Sequence, residues 1–187
     1  MLVGNGVGQP LGALHAANPA MITVAKETGQ SADTIVWENI VAMWARMLPA
    51  SMRRAVWVAN IDTFPELATM ALAVGVGGSA VWIGGPSGSP GADAPPMSLL
   101  GRPVLFTEKA ATLGDAGDLS FIDFGHYLIG DRQMMTVVSS EHYKFQNDMT
   151  AFRCISRVDG RPGLLSAITP RRGTATLSPF VRLGERA

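Results

Sequence analysis

The feature that most restricts this fold is a change of pattern across one Gly/Pro-rich stretch. Residues 84–96 read GGPSGSPGADAPP, with eight Gly or Pro residues. That composition predicts a mobile loop rather than a helix or strand. Before the stretch, short apolar runs alternate with longer amphipathic ones. After it, only short runs of strand character remain. Strand, helix, strand, helix, then strands alone, predicts an α+β fold.

The individual runs support that order. Residues 1–20 are rich in Gly, Asn and Pro and read as an irregular connector. Met21–Ala25 predicts a strand and Lys26–Gln30 a turn. A helix is predicted from a cap at Ser31 or Asp33 to about Leu48, because Trp37, Ile40, Val41, Trp44, Met47 and Leu48 fall on one stripe. Pro49 follows where a helix should stop. Ala55–Ala59 (AVWVA) predicts a buried strand, broken by Asn60 and Asp62. Thr63 and Glu66 have capping-box spacing for a second helix. Its apolar face runs through Leu67, Met70, Ala71 and Val74 to Gly75.

Further strands are predicted at Ser79–Ile83, Pro103–Thr107, Leu119–Ile122, Met134–Ser140, Thr150–Val158 and Leu164–Ile168. Asp123–Gly130 reads as a turn or short helix and 159–162 as a turn. In the 150–158 run, Phe152, Cys154 and Val158 share one face, and Arg153, Ile155 and Arg157 the other. The Arg-rich end, TPRRGTATLSPFVRLGERA, carries no readable period.

Composition excludes several function classes. Lys plus Arg and Asp plus Glu are 15 each, so no net field recruits nucleic acid. Charged residues make up 16%, against roughly 25% in ordinary soluble domains. A large core, or surfaces covered by neighbouring subunits, would account for this. The single cysteine, Cys154, excludes an internal disulfide framework and a thiolate zinc site, and suggests a reducing compartment. The longest strongly apolar run, near Leu67–Val76, is far short of the roughly 20 residues that span a bilayer. No basic segment followed by an apolar one reads as a signal peptide.

No arrangement of side chains points to catalysis, a metal or a cofactor. GNGVGQ at Gly4–Gln9 fails the dinucleotide-loop pattern, with no strand before it and no helix directly after. Gly75–Ala80 matches G-x-G-x-x-A but leads from a helix into a strand, the reverse of a phosphate-binding turn. His15, His126 and His142 lack ligand partners at helical spacing. Asp115, Asp118, Asp123 and Asp131 lack a calcium-loop spacing and read as turn formers. Trp37, Trp44, Trp57 and Trp82 lie in apolar segments without interleaved basic residues and read as core. Arg153 and Arg157 fit either a solvated strand edge or charge pairing with a neighbouring subunit.

Taken in order, these segments resemble the HK97-type tailed-phage major capsid proteins. GNGVGQPLGAL is similar to the Gly-rich segment after that family's spine helix. The first helix, AVWVAN and the helix opening TFPELATM resemble the order of its axial domain. LLGRPVLFTEKA resembles its G-x-P-V strand, and GDLSFIDFGHYLIGDRQ its segment built on Asp123, Tyr127 and Arg132. FQNDMTAFRCISRVDGRP resembles the long strand of its peripheral domain.

The resemblance implies an α+β, HK97-like fold: an axial-like domain at 20–130 and 163–187, and part of a peripheral-like domain at 1–19 and 131–162. It implies a non-enzymatic subunit of an icosahedral phage or prophage shell around DNA, found in the virion and, before assembly, in the host bacterial cytoplasm. The implied partners are other copies, as pentamers and hexamers, with portal, scaffold or maturation protease. No cofactor, metal, membrane or sequence-specific nucleic acid is implied. An encapsulin-like nanocompartment shell would use the same fold, and a small α/β enzyme using Gly75–Ala80 is the alternative of another class.

The family's N-terminal arm, hairpin loop and spine helix would precede Gly4, so the chain reads as a fragment, an internally initiated product or a prophage remnant. A peripheral domain without its helix would leave apolar strand faces uncovered. Some members cross-link subunits through a Lys and an Asn, assisted by a Glu. The Asn position falls on Asp148, next to Asn147, and the Glu position on Ile155. The resemblance therefore implies no autocatalytic cross-linking here, because an apolar side chain moves no proton.

Overall fold

The computed structural model describes residues 2–72, 79–80 and 98–186. The Gly/Pro stretch 84–96, Trp82, residues 81–83 of the SAVWI run and most of the Gly75–Ala80 motif lie outside the described residues.

In chain order the elements are β1 (Ile22–Val24), α1 (Trp37–Arg46), β2 (Val56–Ala59), α2 (Phe64–Thr69), β3 (Ala71–Leu72), β4 (Ser79–Ala80), β5 (Ser98–Leu99), β6 (Arg102–Phe106), β7 (Leu119–Ile122), β8 (Tyr127–Lys144), β9 (Met149–Pro162) and β10 (Phe180–Leu183). Six of the strands form one mixed sheet in the order β1-β10-β7-β2-β6-β5. β3 and β4 pair with each other, as do β8 and β9.

The core forms where short apolar strands place aromatic residues opposite one another. Trp57 in β2 pairs directly with Phe121 in β7, and their rings stack 4.2 Å apart. Trp44 of α1 stacks on Phe121 at 5.3 Å. The Trp57 indole N–H donates to the Leu99 carbonyl at 2.9 Å, so even its polar atom is satisfied. Ile40, Met43 and Met47 from α1 and its C-terminal boundary join this cluster, as do Val181 and Leu183 from β10. Full burial of each such side chain contributes roughly 1.5–3 kcal/mol.

The opposite side of the sheet has a smaller cluster, in which Val58, Ile122 and Phe180 pack with Ala13, Leu14 and Ala20. The Gly-rich start is irregular, as its composition predicts, yet it covers this face. It closes on itself through Gly12 N–H to Gly4 O at 2.8 Å and Leu14 N–H to Leu2 O at 3.0 Å. A Cβ on Gly12 would overlap the backbone of Leu2 and Gly4, so these glycines serve close chain approach.

Several boundaries differ from the sequence expectation. α1 begins at Trp37, not after Ser31 or Asp33, because Asp33 sits in the left-handed region at φ 53°. The start is held instead by Asn39, whose Oδ1 accepts the Val36 N–H at 3.2 Å. Of the predicted stripe Val41 is exposed, and Met43, outside that stripe, is buried instead. The Thr63–Glu66 capping box does not form. Thr63 Oγ1 donates to Asn60 O at 2.7 Å, and Asn60 Oδ1 caps the 3₁₀ turn by accepting from Asp62 N–H. α2 stops at Thr69, and Ala71–Leu72 belong to a strand rather than to a helix reaching Gly75. Residues 159–162 continue β9 instead of turning. Leu164–Ile168 makes only a single bridge, Ile168 with Leu177.

The largest difference is at the Arg-rich end. It supplies β10, an internal strand parallel to β1 and antiparallel to β7. Arg186 then turns back into the core, fully buried, and pairs with Asp118. Its Nε donates to Thr34 O at 2.7 Å and Nη1 to Gly184 O at 3.0 Å. Asp118 also accepts the N–H groups of Leu119 at 2.7 Å and Gly114 at 3.1 Å. Asp118, read from sequence as a turn former, is thus half of a buried ion pair.

Candidate functional site

β8 and β9 form an antiparallel ribbon running from Tyr127 opposite Pro162 to Lys144 opposite Met149. Eighteen residues in β8 give a reach of about 50–60 Å. At the tip, Phe145–Asn147 make a 3₁₀ turn closed by Asp148 in the left-handed conformation, φ 52°. Irregularities in register fall between Asp131 and Gln133, Gln133 and Thr136, and Ser140 and Lys144. They add residues to β8 and increase its local twist.

The ribbon exposes apolar residues on both faces, among charged and polar ones. Val137 pairs with Cys154 and Val138 with Arg153. Successive residues on a strand point to opposite sides, and both valines are exposed. Phe152, opposite Ser139, is exposed, as is Phe145 at the tip. The alternation read from sequence in β9 holds, but neither of its faces is interior. Arg153 and Arg157 are exposed and pair with no carboxylate among the described residues.

The root of the ribbon is tied to the sheet by residues from the resemblance's Asp–Tyr–Arg segment. Asp123 follows β7 and is buried. Its Oδ1 accepts the Gly125 N–H at 2.9 Å, and its Oδ2 accepts from Arg54 at 2.9 Å. Burial alone would raise the Asp123 pKa. The neighbouring Ser51 hydroxyl, itself without a well-formed hydrogen bond, the Gly125 N–H and the Arg54 guanidinium together hold it below the ordinary carboxylate value. His126 Nε2 lies 3.7 Å from the same carboxylate.

The Gly163 N–H donates to His126 O at 2.7 Å, where the chain returns from β9. Tyr127 O–H donates to Leu11 O at 2.7 Å, and the Leu11 N–H donates to Gly160 O at 3.0 Å. Burial, then the Asp159 charge, raises the Tyr127 pKa, which keeps that phenol a donor. The first segment of the chain thus clamps both ribbon strands at their base. Arg132, the third residue of the segment, is exposed beside a register irregularity.

Among the described residues no group of three or more His, Cys, Asp or Glu side chains could hold a metal ion, and no helix is long and apolar enough to cross a membrane. His15, His126 and His142 stand in separate surroundings: the N-terminal cover, the ribbon root and the ribbon near its tip. Trp37 and Trp44 pack against the core and Trp57 is wholly inside it. Sequence reasoning missed Asp123 and Arg54 as a bonded pair, because 69 positions separate them.

Comparison with known proteins gives the sheet and ribbon a context. The chain is similar to solved capsid chains from an empty and a native GTA particle, at 20% identity and a TM-score of 0.70 in both cases. The likeness covers 100% of this chain and 60% and 59% of the two others, so it spans about three fifths of their length. At that identity the likeness is one of fold. No match was found among curated proteins. The model of the phage capsid family fits residues 1–171, taking in the N-terminal cover, every strand of the sheet except β10, and the whole ribbon, and this chain belongs to that family.

Proposed function

We propose that the chain works as a shell subunit, tiling with other copies around packaged DNA, as pentamers and hexamers. The observation that carries this reading is the ribbon, with apolar residues exposed on both faces. A two-stranded ribbon is at best marginally stable alone in water, and an apolar surface of this extent calls for a covering partner. One partner could cover one face; two apolar faces suit a subunit enclosed by neighbours. In this reading the six-stranded body, 20–130 with 163–187, is the axial-like tiling domain, and 1–19 with 131–162 reaches along subunit edges.

The role is geometric rather than catalytic, and portal, scaffold or maturation protease would act on the assembling shell. The location is the virion, preceded by the host bacterial cytoplasm. With Ile155 at the family's Glu position, the subunits stay uncrosslinked and run as monomers on denaturing gels; a covalent ladder would contradict this. Arg153 and Arg157, exposed and without an acidic partner among the described residues, are assigned to contacts between subunits. Arg153→Glu with Arg157→Glu is expected to abolish or strongly reduce shells seen by electron microscopy, while the circular dichroism of the subunit is unchanged. Normal shells from the double variant would refute the assignment.

A further inference from the structure

A cleft of about 220 Å³ opens where the N-terminal cover meets β10 and the loop before β7. Its lining includes His15, Lys109, Gly117 and Arg182, and contains no carboxylate. The volume is below the roughly 300–1,000 Å³ of sites for drug-sized ligands or cofactors, so only a small group fits.

Arg182 is the central feature. It projects from an internal strand, with its Nε donating to Thr23 Oγ1 at 3.0 Å. No carboxylate pairs with it among the described residues. Burial lowers its pKa, as for a cation short of compensating charge. Ser120, its register partner on β7 behind the cleft's lining, is buried, and its hydroxyl has no hydrogen-bond partner among the described residues. His15 Nδ1 accepts the Ala17 N–H at 3.1 Å, so the proton of a neutral ring sits on Nε2 and makes it a donor. Lys109 adds a second cation, with its own partner Glu108 outside the lining.

A planar guanidinium whose terminal N–H groups have no partner among the described residues, an ammonium shared with Glu108 and an imidazole donor match a tetrahedral oxyanion. We propose that this cleft binds a single phosphate group, either free or carried on a nucleic-acid backbone. The cleft lies within one subunit, so phosphate binding there is independent of shell assembly.

The test is titration of the full chain with inorganic phosphate, followed by calorimetry and by NMR of the Arg182 side-chain N–H. Saturable binding that perturbs Arg182 is expected. Arg182→Gln should weaken it at least about tenfold, the loss of one charge-assisted contact. Arg172→Gln, an exposed arginine outside the cleft, should leave it unchanged. If Arg182→Gln does not fold, His15→Gln with Lys109→Gln serves in its place, since neither residue is in the sheet. A short duplex DNA separates the two sources. Tighter binding than phosphate, with a salt slope about one unit smaller in the variant, identifies backbone phosphate. Binding of phosphate alone identifies the free ion. The proposal is overturned by absence of saturable phosphate binding, or by equal affinity in the cleft variants and Arg172→Gln.

Discussion

Phe121 and Phe152 each sit in an antiparallel strand, paired across from another residue of the same chain, yet their surroundings are opposite. Phe121 is 0% exposed between Trp57 and Trp44, whereas Phe152 is 70% exposed opposite Ser139. The body buries its strands on two sides, under α1 on one and the N-terminal cover on the other. The ribbon has no such layers among the described residues. The same residue types therefore stabilise the fold in one region and remain available for contacts in the other. The body buries its apolar residues within itself, whereas among the described residues those of the ribbon stay exposed.

The sharpest way to break this contrast is to truncate one aromatic in each region and unfold the chain with denaturant. Trp57→Ala is expected to cost about 3–5 kcal/mol, as for a large buried aromatic. Phe152→Ala should stay within about 0.5 kcal/mol, as for an exposed residue, and show its effect only in shell yield. Equal costs would mean that the ribbon is part of the folding unit.

Next in size is the C-terminal lock of the body. Arg186→Met leaves the Asp118 carboxylate buried without its partner, and a loss of about 3 kcal/mol is expected. Asp118→Asn combined with Arg186→Met should recover part of that loss, because no charge is then stranded. A neutral Arg186→Met variant would remove the C-terminal strand's lock from this account of body stability.

The smallest effect is at the junction of the two regions. The Asp123 pKa lies below its ordinary value in the folded chain. Its contribution is therefore present above the unfolded carboxylate pKa, about 3.9, and is lost as pH falls through the lower folded value. Asp123→Asn should cost about 1 kcal/mol near neutrality, since the Arg54 partner is 60% exposed and screened. Stability measured against pH should then lose part of its acid limb. An unchanged acid limb in the variant would assign that limb to other carboxylates.

Parts of this design are legible in the residues themselves. β2, β6 and β7 are compact apolar runs between turn residues, and each lies within about a residue of its expected bounds. Trp44 and Trp57 read as core for the same reason. The start of α1 was not legible, because nothing in the letters of Asp33 announces a left-handed backbone. β10 was hidden because Pro, Arg and Gly surround a four-residue strand whose partners, β1 and β7, lie far away in the chain. The resemblance pointed to Asp123, Tyr127 and Arg132 as a set. It could not say that Asp123 bonds Arg54, that Tyr127 holds Leu11, or that Arg132 stands free of the root.

What the sequence by itself determined was the alternation of helices and strands, the low charge, the family resemblance and the two faces of β9. These depend on local period and composition, which survive in a linear string. What only the tertiary structure decided was which apolar faces are covered. Burial depends on which distant segments arrive: residues 2–20 and 180–186 reach the body, and beyond its clamped root no described segment covers the ribbon. Asp118 and Arg186 looked like a turn residue and a tail residue until the fold removed water from between them.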